Sequence, residues 1–138
     1  MSIIGGLIIG IGISNKKRKL GERSENGDLL AARDLAFLHM EDKNFDDALF
    51  QINKYLTQNQ KDEDALCIAG ACYMRKKNFE DASDIFHRLI EINPKNADNN
   101  FALGSCYYLL GNIEKAKEYQ EIAVSINKKY RKQRFVKD

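Results

Sequence analysis

The chain has 138 residues, 43% of them apolar and 30% charged, which is the size and make-up of one folded domain and too little for a multidomain enzyme. One proline, no tryptophan and little valine, beside plentiful Leu, Ala, Lys and Glu, favour helix over strand. The net charge of +2 divides into about +4 on residues 16–23, about −7 on residues 24–127 and about +5 on residues 128–138; with basic ends on an acidic body the basic pI does not mean nucleic-acid binding, and no nucleic-acid partner is expected.

Residues 1–14, MSIIGGLIIGIGIS, are apolar and uncharged, and Asn15, Lys16, Lys17, Arg18 and Lys19 follow at once. A cleaved secretory signal carries its positive charge ahead of the apolar run, so that reading does not fit. The missing Met-Gly start excludes myristoylation. As a helix the run would be about 21 Å long against a hydrocarbon core of about 30 Å. It therefore predicts a short membrane anchor, helped by bilayer thinning or by snorkelling of Lys16 and Lys17. The cations Lys16 to Lys19 would stay on the cytoplasmic side, which makes a membrane-associated protein with its folded body facing the cytoplasm. Gly6 and Gly10 have the spacing that lets two such helices approach closely. A self-associating β segment and an incidental leader are the alternatives the residues leave open. Residues 15–27, NKKRKLGERSENG, are polar, charged and interrupted by two glycines, and read as a basic flexible linker.

Beyond this point the chain repeats itself. NFDDA from Asn44, NFEDA from Asn78 and NIEKA from Asn112 begin 34 residues apart, an interval that signals architecture rather than a catalytic motif. On that period residues 29–62, 63–96 and 97–130 are three units, preceded in register by Asp28, Asp62 and Asn96, whose side-chain oxygens can cap a helix. In the middle unit Leu66, Ala69, Gly70 and Tyr73 fall on one helical face. Asn78 marks a turn and cap, Ala82, Phe86 and Leu89 trace a second helix, and Pro94 closes the unit.

The run ALCIAGACYMRKKNFEDASDIFHRLIEINP resembles the tetratricopeptide repeat (TPR): Leu-x2-Ala-Gly-x2-Tyr, then Ala-x3-Phe, then Pro. The third unit repeats the pattern with Leu103, Gly104, Tyr107, Ala116 and Ala123, and the first keeps Leu35, Ala36, Ala48 and Ile52. The resemblance covers residues 29–130 and implies an all-α fold. Three stacked antiparallel helix hairpins, a TPR solenoid over residues 28–130, would follow the apolar N-terminal segment. Ala36, Gly70 and Gly104 would face Ala48, Ala82 and Ala116 where paired helices come closest. His39 replaces the repeat's tyrosine, Gln120 its second-helix aromatic, and Gln60 and Lys128 its proline, so the outer units are atypical. Residues 131–138 are too few for a separate capping helix. They are expected as a basic extension of the last helix, running through Phe135, with Tyr130 and Phe135 partly covering the exposed end.

Nothing in the chain spells out chemistry. Cys67, Cys72 and Cys106 are odd in number, and Cys67 and Cys72 would lie about 140° apart around a helix, unsuited to chelation; reduced thiols in a core or groove are expected. His39 and His87 occupy unrelated positions, and there is no Ser/His/Asp set, metal-spaced cluster or phosphate loop. Asp46, Asp47, Glu80 and Asp81 sit at helix starts, where they complement the dipole. We therefore expect no enzyme, no cofactor and no metal.

The resemblance implies that the concave face, lined by first helices, holds a peptide or helix of a protein partner. In register the groove would be lined by Arg33, Phe37, Met40, Cys67, Ala71, Met74, Phe101, Ser105 and Tyr108, a mostly apolar surface suited to a helix or extended apolar segment. A chaperone-tail groove would need Lys and Asn there, and Arg33 alone could clamp a carboxylate. The expected function is a membrane-tethered TPR adaptor or scaffold that recruits or assembles a complex. The alternative is a self-associating structural subunit, a homo-oligomer built through the N-terminal apolar segment and the incompletely capped last repeat.

Overall fold

The computed structural model describes residues 2–137, with side chains from residue 10 onward. Among these residues there are α-helices, one 3-10 helix and no strand. The chain divides into two compact units, one up to Gln58 and one from Asn59 onward.

In the first unit α1 (Ser2–Glu25) packs on α2 (Leu29–Glu41), and α2 pairs with α3 (Phe45–Leu56). The expected linker at residues 15–27 is therefore helical as far as Glu25. Lys, Arg, Glu and Leu are all good helix formers, and Leu20 is buried in a cluster with Ala31, Leu35 and Leu38. The end of α1 is held on α3: the buried Ser24 hydroxyl donates to Gln51 at 2.6 Å, and Lys54 Nζ donates to Ser24 O at 2.9 Å. Arg18 pairs with Glu22 at 2.6 Å, and Lys17 pairs with Asp42 on the far end of α2. One buried leucine among the thirteen residues 15–27 leaves no period to read, which is why the sequence predicts a spacer there. The expected anchor at residues 1–14 lies largely outside the described residues, Met1 altogether and residues 2–9 in their side chains. No helix among the described residues is long and apolar enough to cross a membrane.

The second unit holds two hairpins, α4 (Glu63–Arg75) with α5 (Phe79–Ile92) and α6 (Ala97–Leu109) with α7 (Ile113–Ile126), and α5 packs on α6. Asp62 and Asn96 cap α4 and α6 as expected, accepting from Ala65 N at 3.0 Å and Asn99 N at 2.9 Å, and Asp28 caps α2 from Ala31 N at 3.0 Å. Asn78 and Asn112 cap α5 and α7, whereas Asn44 makes no side-chain capping bond on α3. Leu66, Leu89 and Leu103 are fully buried, each contributing about 1.5–3 kcal/mol against an exposed reference.

The last helix departs from expectation. Rather than running to Phe135, α7 stops at Ile126; Asn127 turns extended at φ −141°, and its side chain accepts from Lys129 N at 3.0 Å to start a 3-10 helix over Lys128–Gln133. Residues 134–137 follow without regular structure. The tail thus leaves the axis of α7 and folds back, so it is not the helical extension expected for residues 131–138.

Candidate functional site

The expected groove residues divide between the two units. On α2, Arg33 is half-buried; its Nε and Nη2 donate to Asp34 at 3.3 and 3.2 Å, and its guanidinium lies 5.7 Å over the Tyr55 ring. The bond to Asp34, with Tyr55 adding to it, raises its pKa. An incoming carboxylate would have to compete for this group. Phe37 is 47% exposed and Met40 half-buried.

In the second unit Cys67, Ala71 and Met74 lie on α4 and Phe101, Ser105 and Tyr108 on α6. The two helices touch where Cys106 Sγ meets the Met74 sulfur at 3.3 Å, so Met74 turns toward its neighbour. Ser105 turns inward as well, donating to Phe101 O at 3.0 Å on its own helix. Cys67 is exposed while Cys72 and Cys106 are buried, and all three are free thiols. Burial pushes Cys72 up to about 11 and Cys106 up to about 12, and it raises Cys67 with help from Asp64 and Glu63. Thiols so poised are weak nucleophiles and poor metal ligands at neutral pH. No group of three His, Cys, Asp or Glu among the described residues could hold a metal ion.

The largest departure is at Phe101. Expected to line an open groove, it is instead covered by the tail: Tyr130 stacks on it at 4.4 Å and Phe135 tilts against it at 5.1 Å. The Tyr130 hydroxyl donates to Asp98, and that bond, with Lys129 3.2 Å away, holds the Asp98 carboxyl below its usual range. Phe135 also lies 5.4 Å from Tyr108, whose ring stays 42% exposed. Phe37, Cys67 and Tyr108 are thus the open groups of the expected set; Phe101, Met74 and Ser105 are engaged internally.

His87 shares a 2.7 Å hydrogen bond with the Tyr107 hydroxyl and meets Tyr107 and Tyr119 edge-on. It belongs to an aromatic cluster between α5, α6 and α7. Burial lowers His39.

Two structural roles escaped the sequence. Asn100, buried, donates to Pro94 O at 3.2 Å and Asn96 O at 2.9 Å, tying the turn before α6 to the helix. Gln120, also buried, holds the tail backbone. Its signal was the polar residue standing where the period calls for an aromatic.

Three comparisons bear on this geometry. No curated protein matches the chain in sequence. A crystal structure of MamA superposes with a TM-score of 0.74 at 23% identity, over 81% of this chain and 67% of that one. A MamA D159K mutant superposes at 0.78 and 18% identity, over 87% and 65%. The chain therefore spans about two-thirds of the length of these structures. The first TPR of Spaghetti (RPAP3), bound to the HSP90 peptide SRMEEVD, superposes at 0.66 and 16% identity, over 75% and 88%. These likenesses show the fold, an all-α TPR repeat. A family model described as anaphase-promoting complex, cyclosome, subunit 3 (ANAPC3) matches residues 41–117, and the chain belongs to that family.

Proposed function

We propose that this member of the ANAPC3 family is a membrane-tethered adaptor that binds a protein partner through the first helices of its repeats and so recruits or assembles a complex. The observation that carries the binding part is that large apolar side chains on those helices stay open to solvent, Phe37 at 47% and Tyr108 at 42%. A family named for a subunit of a multiprotein complex and a structural neighbour holding a peptide support the same reading. With Arg33 already bonded to Asp34, the partner is an apolar helix or extended segment rather than an acidic terminus.

The tether rests on the apolar run of residues 1–14 and the cations that follow it on the same helix; it places the repeats on the cytoplasmic side. Crosslinking pull-down from native membranes, with wild type beside Phe37→Ala plus Tyr108→Ala, tests the binding part. Partners lost in the double variant are the expected outcome, and an unchanged set of crosslinks would sink it.

A further inference from the structure

The C-terminal tail occupies a recess formed by Gly104 of α6 and Gln120 of α7. In the middle repeat, a Cβ on Gly70 would meet Phe86 Cζ at 3.0 Å. The residue one period after Phe86 is Gln120, which has no ring, and a Cβ on Gly104 would meet Phe135 Cζ at the same 3.0 Å. An irregular segment supplies the aromatic that the repeat's own second helix lacks at that position.

Gln120, at 0% exposure, turns its amide on that segment: Oε1 accepts from Phe135 N and Val136 N, both at 3.0 Å, and Nε2 donates to Val136 O at 2.9 Å. A carboxamide that reads backbone groups is indifferent to which chain presents them, and a buried amide left unpaired is costly, so it favours whichever segment supplies those groups. Arg134 donates to Glu121 at 2.9 Å beside it, and Val136 is buried. The recess thus reads a basic, an aromatic and a β-branched residue in a row, with a carboxylate, a hole over Gly104 and a backbone clamp.

We propose that this recess is a peptide-docking site, closed in cis by Arg134, Phe135 and Val136, and that its ligand is an extended basic–aromatic–β-branched segment of a partner protein that displaces the tail. Tethered through a six-residue 3-10 helix, the tail competes at an effective concentration on the order of millimolar, so the site opens to ligands that add contacts elsewhere. This rests on the adaptor reading in that Phe101 and Tyr108 border both surfaces; Gln120 and Gly104 lie outside the expected groove.

The test uses a fluorescein-labelled peptide KQRFVKD, this chain's residues 132–138, titrated by anisotropy into full-length wild type and full-length Phe135→Ala plus Val136→Ala. The opened variant should bind saturably and at least about tenfold more tightly than wild type. Binding should vanish when the peptide's Phe and Val are alanine or when Gln120→Leu is added. An opened variant that melts cooperatively yet binds no better than wild type overturns the proposal. Amide exchange on the unaltered protein decides independently of any variant's folding. The Phe135 and Val136 amides should exchange about a hundredfold faster than those of Leu103 and Ala123, by opening of the tail alone. Exchange of all four at one rate would make the tail a permanent part of the core and overturn the proposal. The titration is done on proteins that keep Phe37 and Tyr108, so an unchanged set of crosslinks in the groove test leaves it standing and the two failures are distinguishable.

Discussion

Gly70 and Gly104 hold the same register position but meet different limits. At Gly70 the three nearest atoms to an added Cβ belong to side chains, Phe86 at 3.0 and 3.3 Å and Ile85 at 3.3 Å, whereas at Gly104 two are backbone, Ala116 O at 3.1 Å and Gln120 N at 3.2 Å. Rings can tilt by a few tenths of an ångström, but the backbone of α7 cannot shift without moving the helix. Alanine gains about 1 kcal/mol over glycine in helix propensity at either place, against an overpacking cost of about 1–3 kcal/mol that is near its lower end where side chains can yield. Gly70→Ala should therefore be close to neutral and Gly104→Ala should lose about 1–2 kcal/mol, a difference that thermal melts of the two variants would show directly. Equal losses would mean that side chains and backbone are equally unyielding here. The expected pairing of Gly104 with Ala116 thus holds at the backbone, while for Gly70 the ring of Phe86, not Ala82, sets the limit.

At the scale of elements, one turn recurs. After α1, α2, α4 and α6 the chain makes a pair of bonds, such as Lys77 N to Met74 O at 3.0 Å with Asn78 N to Tyr73 O at 2.9 Å, and Gly111 N to Tyr108 O at 3.0 Å with Asn112 N to Tyr107 O at 2.8 Å. This double bond closes a helix only if the residue between is left-handed, and φ is +88° at Gly27 and +83° at Gly111 but also 62° at Lys43 and 60° at Lys77. The two lysines carry a side chain where glycine is at ease. Lys77→Gly should raise stability by about 0.5–1 kcal/mol, the left-handed penalty outweighing the looser unfolded chain, and Gly111→Lys should lose a similar amount. Denaturant midpoints at unchanged m-value would register both; a loss in Lys77→Gly would refute the account. The repeated NFDDA, NFEDA and NIEKA made three of these turns legible, because the asparagine that follows Lys43, Lys77 and Gly111 is fixed by the period. The glycine-free turns were legible in position but not in conformation, since lysine carries no sign of a positive φ. The tail was legible in part for a related reason: Tyr130 and Phe135 cover the end as expected, but the turn at Asn127 and the docking on Gln120 and Gly104 join residues distant in sequence, and no local pattern reports such a path.

For the molecule as a whole, the continuity of α1 changes what a tether would do. Helix runs from the apolar segment through the basic cluster to Ser24, and its end is bonded to Gln51 and Lys54, so an anchored first unit would stand at a set distance from the bilayer rather than swing on a spacer. Of the cations, Lys17, Arg18 and Arg23 pair with Asp42, Glu22 and Asp28. Lys16 and Lys19 border an open cleft with Gly12, Asn15, Leu20, Arg23 and Asp34, where an anionic headgroup can be met without breaking those pairs. Each such cation is worth about 1 kcal/mol at a negatively charged membrane. Full-length protein should therefore float with anionic vesicles, and Lys16→Gln plus Lys19→Gln should weaken that binding by about 2 kcal/mol, roughly thirtyfold, at low ionic strength. Raising the salt should shrink the difference between the two proteins, because screening removes the charge contribution and leaves the apolar run. Binding to neutral vesicles should persist in both, and by the same amount, since that part belongs to residues 1–14. A full-length chain that stays in the dense fraction with either kind of vesicle has no tether, and the exposed rings of Phe37 and Tyr108 would then have to find their partner in solution.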